Sequence, residues 1–260
     1  MSWVLLRGLT REARHWGALP GQLHKAGLGP ATLLDLPGNG ACWQQRSPTT
    51  VRAMMTAARA SLAALGLMPP YSLLAMSLGG MVAVDWAQQH PADIERLVLV
   101  NTSMRPFNPL TQRLRPACWP QLLRVAAHWK NAAGVERRIH QLTCANTDAL
   151  DTDLALWQQI RQSAPVGSAN ALRQLLAAAR FQAAPSAPAC PVLLLSSAAD
   201  QLVDPACSAM LAAAWGARHD RHRWAGHDLC HDDPDWTCQT VAHWLAQGMS
   251  APAYAGPPPA

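Results

Sequence analysis

The stretch Tyr71-Ser72-Leu73-Leu74-Ala75-Met76-Ser77-Leu78-Gly79-Gly80 constrains the fold of this chain more than any other. An apolar run with the character of a buried strand stops at a serine, and a helix-compatible run, Met81 to Gln89, follows directly. A strand that enters a helix through so tight a turn holds its central residue in a strained backbone conformation. The residues two places before and two places after must be small, because a larger side chain would collide with the turn. Here they are Ala75 and Gly79. Such a turn lifts a hydroxyl to the tip of a strand, which makes Ser77 a candidate nucleophile. Short patterns of this kind also arise by chance, so Ser77 needs partners elsewhere in the chain.

The flanking sequence supplies an alternation of strands and helices. Trp3–Leu6, Ala31–Leu34, the run before Ser77 and Arg96–Val100 read as strands, and 50–65 reads as a helix capped by Thr49 or Thr50. Short connections between alternating elements predict a parallel sheet with helices on both faces. The alternation stops after Asn101. Residues 104–184 hold four helical runs, near 116–130, 133–144, 149–162 and 168–181, and no convincing strand. It resumes with a strand at 191–195, a helix at 205–215, a short strand at 221–224 and a helix at 235–246. The expected division is therefore a core of residues 1–103 and 185–248, an inserted helical cap at 104–184, and a disordered tail at 249–260.

Composition narrows the class. Half of the 260 residues are hydrophobic and only 14% are charged, so a large core can form. The net charge of +5 comes almost wholly from arginine, since only Lys25 and Lys130 are lysines. No basic run is interleaved with aromatics, so nucleic-acid binding is not expected. No apolar run approaches the roughly 18 residues that span a bilayer, so no membrane partner is expected either. Seven scattered cysteines with no C-x-x-C pair fit reduced thiols, and a cytoplasmic location is the expectation.

A serine hydroxyl is a weak nucleophile and needs a base, with an acid to orient that base. Asp200 follows the strand at 191–195 on the loop where α/β sheets bind ligands. Asp204, directly before Pro205, suits a helix cap better, which leaves Asp200 for chemistry. His227 follows a short strand and Gly226, again on a loop. The nearby His219, His222, Cys230 and His231 match no familiar zinc spacing, so no metal and no cofactor is expected. Two backbone N–H groups must meet a developing oxyanion. Leu78 offers one at a helix N-terminus, and Leu9, just past Gly8, offers the other. The chain order Ser77, Asp200, His227 belongs to one hydrolase fold and to neither chymotrypsin-like nor subtilisin-like enzymes.

On these residues the chain resembles an α/β-hydrolase with an inserted helical cap. It is similar in layout to the carboxylesterases that act on pimeloyl-acyl-carrier-protein methyl ester. The residues carrying the likeness are Arg7-Gly8-Leu9 with Trp16, Asp35 to Gly40, Ser77-Leu78-Gly79-Gly80, Asp200 and Gly226-His227. The resemblance implies a mostly parallel sheet with Ser77 as nucleophile, His227 as base, Asp200 as orienting acid, and Leu9 and Leu78 as oxyanion donors. Arg7 stands where the family usually has histidine, and Ala75 replaces a glycine. The family's usual N-terminal hairpin is not expected here, which predicts a sheet of about six strands.

The expected activity is hydrolysis of a carboxylic ester or thioester through an acyl-enzyme. The alternatives are C–C bond or lactone hydrolysis and acyl transfer, which the same fold supports, or a non-catalytic binding protein. Ten Arg or Lys against four acids fall in 104–184, including Arg137 and Arg138. They are candidates for steering an anionic ester or an acyl-carrier protein. Arg7, Phe107 and Trp119 are further candidate substrate contacts, with Trp129 and Trp157 as possible acyl-pocket walls.

Overall fold

The structure, a computed structural model, describes residues 3–250. Six strands, β1 (Trp3–Leu6), β2 (Ala31–Leu34), β3 (Tyr71–Met76), β4 (Ile94–Val100), β5 (Val192–Ser197) and β6 (Arg218–His222), form one sheet in the order β2-β1-β3-β4-β5-β6. Every pairing is parallel. Parallel strands covered on both faces have no polar side to show, and β3 and β5 are buried along their whole length.

Alternate residues sort to the two faces. Val4, Leu6, Leu73, Ala75, Leu97, Leu99 and Leu194 pack on one side with α2 (Val51–Ala64), α3 (Leu78–Gln89) and α9 (Ala206–Trp215). Trp3, Leu5, Leu74, Val98, Val100, Leu193 and Leu195 face the other, toward α1 (Leu19–Lys25) and α11 (Pro234–Ser250). Thr50 caps α2 by accepting from the Ala53 N–H at 3.3 Å, as its sequence predicts.

Between β4 and β5 the chain forms α4 (Leu110–Arg113), α5 (Trp119–Ala127), α6 (Ala132–Thr143), α7 (Leu150–Ser163) and α8 (Ser168–Arg180). The last four lie where the sequence predicts helices; the one-turn α4 was not expected. A further short helix, α10 (Leu229–Asp232), precedes α11. The last strand is a correction: it spans 218–222, not 221–224. Its residues, Arg218-His219-Asp220-Arg221-His222, carry no apolar signal because it is the sheet's outer strand. The expected tail begins inside α11, and its residues 251–260 lie outside the described residues. All seven cysteines are free, and among the described residues no helix is long and apolar enough to cross a membrane.

This strand order fixes where a site can sit. The chain leaves β1 toward β2 on one side, while β3 pairs with β1 on the other. Connections diverging from adjacent strands open a crevice beyond their carboxyl ends. The residues there are Gly8 and Leu9 after β1 and Ser77 after β3.

Candidate active site

Ser77 has φ 54° and ψ −118°, backbone values that L-residues rarely adopt. The surroundings hold it there. Its N–H donates to the Val100 carbonyl at 2.9 Å, and its own carbonyl accepts from Thr102 Oγ1 at 2.8 Å. A Cβ on Gly79 would lie 2.4 Å from the Leu6 carbonyl oxygen, so only glycine lets the first turn of α3 approach the end of β1 this closely. Ala75, two residues before the serine, is fully buried against the core, and its methyl is accommodated.

Asp200 and His227 meet. Asp200 Oδ2 lies 2.7 Å from His227 Nδ1, and Oδ1 accepts from the Leu202 and Val203 N–H groups at 2.8 and 2.9 Å. The carboxylate is thus fixed on both oxygens at the tip of β5. Burial disfavours a charged His227, but the Asp200 carboxylate outweighs it, aided by its hydrogen bond and by Asp228, and the imidazole pKa lies above its ordinary value. Ser77 and His227 line one cavity of about 370 Å³, together with Gly8, Leu9 and Leu78. An α-helix leaves its first N–H groups without partners of its own, so the start of α3 presents Leu78 at the cavity floor.

The upper walls are apolar. Leu122, Val125 and Trp129 come from α5 and the turn after it, Ile139 and Leu142 from α6, and Leu172 and Leu175 from α8. Leu172 and Leu175 are exposed, so leucines also form the rim.

The expected substrate contacts fare differently. Trp129 lines the cavity, but Phe107 packs edge-on against Trp215 at 5.4 Å, and Trp119 is exposed with its indole N–H on the Leu114 carbonyl. Neither lies among the lining residues. Trp157 is buried in a separate cluster with Cys144 and Ile160. Arg137 is exposed on α6 and Arg138 bonds the Gly134 carbonyl; both lie outside the cavity. Much of the arginine in this region is structural. Arg105, Arg113, Arg115 and Arg161 donate to the carbonyls of Arg180, Ala178, Asp200 and Trp129, tying helix ends and loops together.

Arg7 borders the cavity, but its guanidinium is already committed. It is buried and forms a two-pronged pair with Asp228, with Nη1 2.9 Å from Oδ1, and it stacks over Trp16 at 4.7 Å. It therefore joins the Gly8–Leu9 loop to the His227 loop. Despite its burial, Asp228 is held down to about 2 by Arg7. Truncation by Arg7→Ala would leave this carboxylate buried and unpaired, an expected loss of about 3–5 kcal/mol in urea unfolding at pH 7. Asp228→Asn in the same chain should restore part of it. An Arg7→Ala protein that unfolds like its parent would contradict the pairing. Because Asp228 titrates below the unfolded carboxylate value of about 3.9, its stabilisation is complete above that pH and fades as pH falls toward 2.

Sequence reasoning missed Asn101 and Asp228. Asn101 has φ 46°, a conformation asparagine tolerates, and its side chain bonds the Ser197 N–H and Oγ and the His227 carbonyl, the last at 2.7 Å. It ties the ends of β4 and β5 to the imidazole loop. Its only sequence signal is an asparagine directly after a buried strand.

The sequence model of the serine aminopeptidase S33 family, a hydrolase family, matches residues 4–233. The chain belongs to that family. The pimeloyl-[acyl-carrier protein] methyl ester esterase of Chromobacterium violaceum is 34% identical over 124 residues, 48% of this chain. The match spans 41% of that esterase and no more than 66% of the other curated relatives matched. Among solved structures, the enol-lactonase of Burkholderia xenovorans LB400 superposes with a TM-score of 0.74 at 20% identity, covering 94% of this chain and 91% of that one. A thermophilic esterase from Thermogutta terrifontis gives 0.73 at 20% identity, covering 95% and 90%. These two likenesses establish the α/β-hydrolase fold.

Proposed function

We propose that this S33-family hydrolase cleaves a carboxylic ester or thioester of an apolar acyl chain through an acyl-enzyme. The observation that carries the proposal is a serine held at positive φ on a strand–helix turn, facing the same cavity as a histidine braced by a buried aspartate. Ser77 Oγ attacks the acyl carbon while His227 takes the hydroxyl proton, and Asp200 stabilises the imidazolium. The oxyanion is received by the Leu9 and Leu78 N–H groups. The intermediate collapses, the acyl–O or acyl–S bond breaks, and the leaving group departs with the proton from His227. Water then repeats the sequence, releasing the acid and restoring Ser77.

On this reading residues 104–184 act as a cap over a core of 1–103 and 185–248, and the cap's leucines receive the acyl chain. A cavity of about 370 Å³ falls in the range typical of small-molecule sites. Each methylene buried in it is worth about 0.8 kcal/mol. With p-nitrophenyl esters, kcat/KM should thus rise roughly fourfold per added methylene until the cavity fills. Leu175→Trp should move the optimum to shorter chains. A maximum at acetate that falls with every added carbon would refute the apolar subsite.

Fluorophosphonate labelling tests the nucleophile. Stoichiometric modification at Ser77 supports an enzyme, and an unlabelled folded protein supports a binding module. An acyl-carrier protein as acyl donor rests on the Chromobacterium relative alone, because the cap arginines are largely engaged with backbone carbonyls.

A further inference from the structure

A second group of chemistry-bearing side chains lies behind the cavity wall that Thr143 and Asp228 help to form. His140 sits near the end of α6 and Cys144 is the C-cap of that helix, four residues on and on the same side. α10 brings His231 against them. One ligand-type atom from each of these three residues lies within 4.8 Å of the others. Ligands around a tetrahedral zinc, with bonds of about 2.0–2.3 Å, stand roughly 3.5 Å apart.

Asp153 on α7 sets the nitrogen chemistry. Its Oδ2 lies 3.0 Å from His231 Nε2 and 3.3 Å from His140 Nε2. A carboxylate on that nitrogen holds the proton there and leaves the lone pair on Nδ1, the arrangement found behind metal-bound histidines. His140 is 1% exposed, and its Nδ1 is fully buried with no hydrogen-bond partner among the described residues. A buried lone pair without a donor is costly, and a cation would satisfy it. The nearby guanidinium groups are already engaged: Arg11 is paired with Glu136 at 2.7 Å and stacked on Trp157 at 4.3 Å, and Arg7 is paired with Asp228.

The backbone around the cluster is prepared for rigidity. Asp232 accepts from the Ala145, Asn146 and Gly226 N–H groups at 2.9, 3.0 and 2.7 Å, and the Thr143 carbonyl accepts from the Asp228 N–H at 2.7 Å. The segment after Cys144 is thereby fastened to the loop that carries His227.

We propose that His140 Nδ1, His231 Nδ1 and Cys144 Sγ bind a zinc-type divalent cation, with Asp153 holding both imidazoles and water in the fourth position. Two imidazoles and a thiolate favour zinc over magnesium or calcium. The ion displaces the thiol proton on binding and staples α6 to α10, separately from any chemistry at Ser77. Sequence alone did not predict it, because two of the three ligands lie on a helix far along the chain from the His219–His231 segment.

Cobalt(II) titration of the chelator-treated full-length protein, carried out in a Ser77→Ala background, tests the site apart from hydrolysis. A thiolate-to-cobalt band in the near ultraviolet, tetrahedral visible bands and their loss on adding zinc are expected. Cys144→Ser should abolish the near-ultraviolet band, and His140→Gln should weaken binding. Asp153→Asn should weaken it roughly 10- to 100-fold. Circular dichroism and metal-free melting curves must show that each variant is folded. No thiolate band in the parent protein, or a band that survives in folded Cys144→Ser, would overturn the proposal.

Discussion

Ser77→Ala is expected to lower kcat toward the best p-nitrophenyl ester on the order of a millionfold, while the protein folds and binds the ester almost as before. The hydroxyl is the only atom removed that would form a bond to the substrate. Alanine at φ 54° keeps the same backbone strain as serine, and the hydrogen bonds holding the turn come from the main chain of residue 77. Melting temperature should therefore change little. The apolar cavity and the N–H groups of Leu9 and Leu78 remain, so product and ester affinity should persist in calorimetry. Ester hydrolysis retained within about tenfold of the parent, in protein shown free of contaminating esterase, would remove Ser77 from the mechanism and leave the fold without its proposed nucleophile.

Asp200→Asn should cost about 10⁴-fold in kcat, with a signature in the pH profile. On the proposed mechanism His227 must be neutral to accept a proton, so activity of the parent protein should rise with pH through the imidazole pKa, which lies above its ordinary value. The Asp200 charge is the main influence raising it. Asparagine keeps the shape but not the charge, so the acidic limb should move to lower pH as the plateau falls. The amide also supplies an N–H₂ where His227 needs an acceptor, favouring the wrong tautomer. A variant with a lowered plateau and an unmoved limb would assign Asp200 a packing role instead.

The legible parts of this molecule were those where one physical demand acts on neighbouring residues. Buried parallel strands are dominated by apolar residues, and β1, β3 and β5 could be read directly. The strand–turn–helix at Ser77 demands small neighbours, and the chain supplies them within five positions. Asp200 and His227, whose side chains meet at 2.7 Å, drew notice as titratable groups on loops just past the two last strands. What stayed hidden depends on partners distant in sequence. Arg7 looked available for substrate because nothing near it announces Asp228, 221 positions away. Arginines in 104–184 counted as a charge field, but many are spent on carbonyls that no composition reveals. Aromatic residues were poor guides to the cavity: one tryptophan faces it, and aliphatic residues make most of its wall.

The polar outer strand has a consequence for how the molecule behaves in company. An unpaired strand offers backbone donors and acceptors to any second chain that can lie alongside it. β6 puts Arg218, Asp220 and Arg221 on that open rim, with the Arg218 guanidinium 2.7 Å from the Asp220 carboxylate. A neighbouring molecule would have to strip water from these groups before its own backbone could dock. The sheet is thereby discouraged from growing outward beyond its sixth strand, and crowded copies of the protein can stay apart on that side.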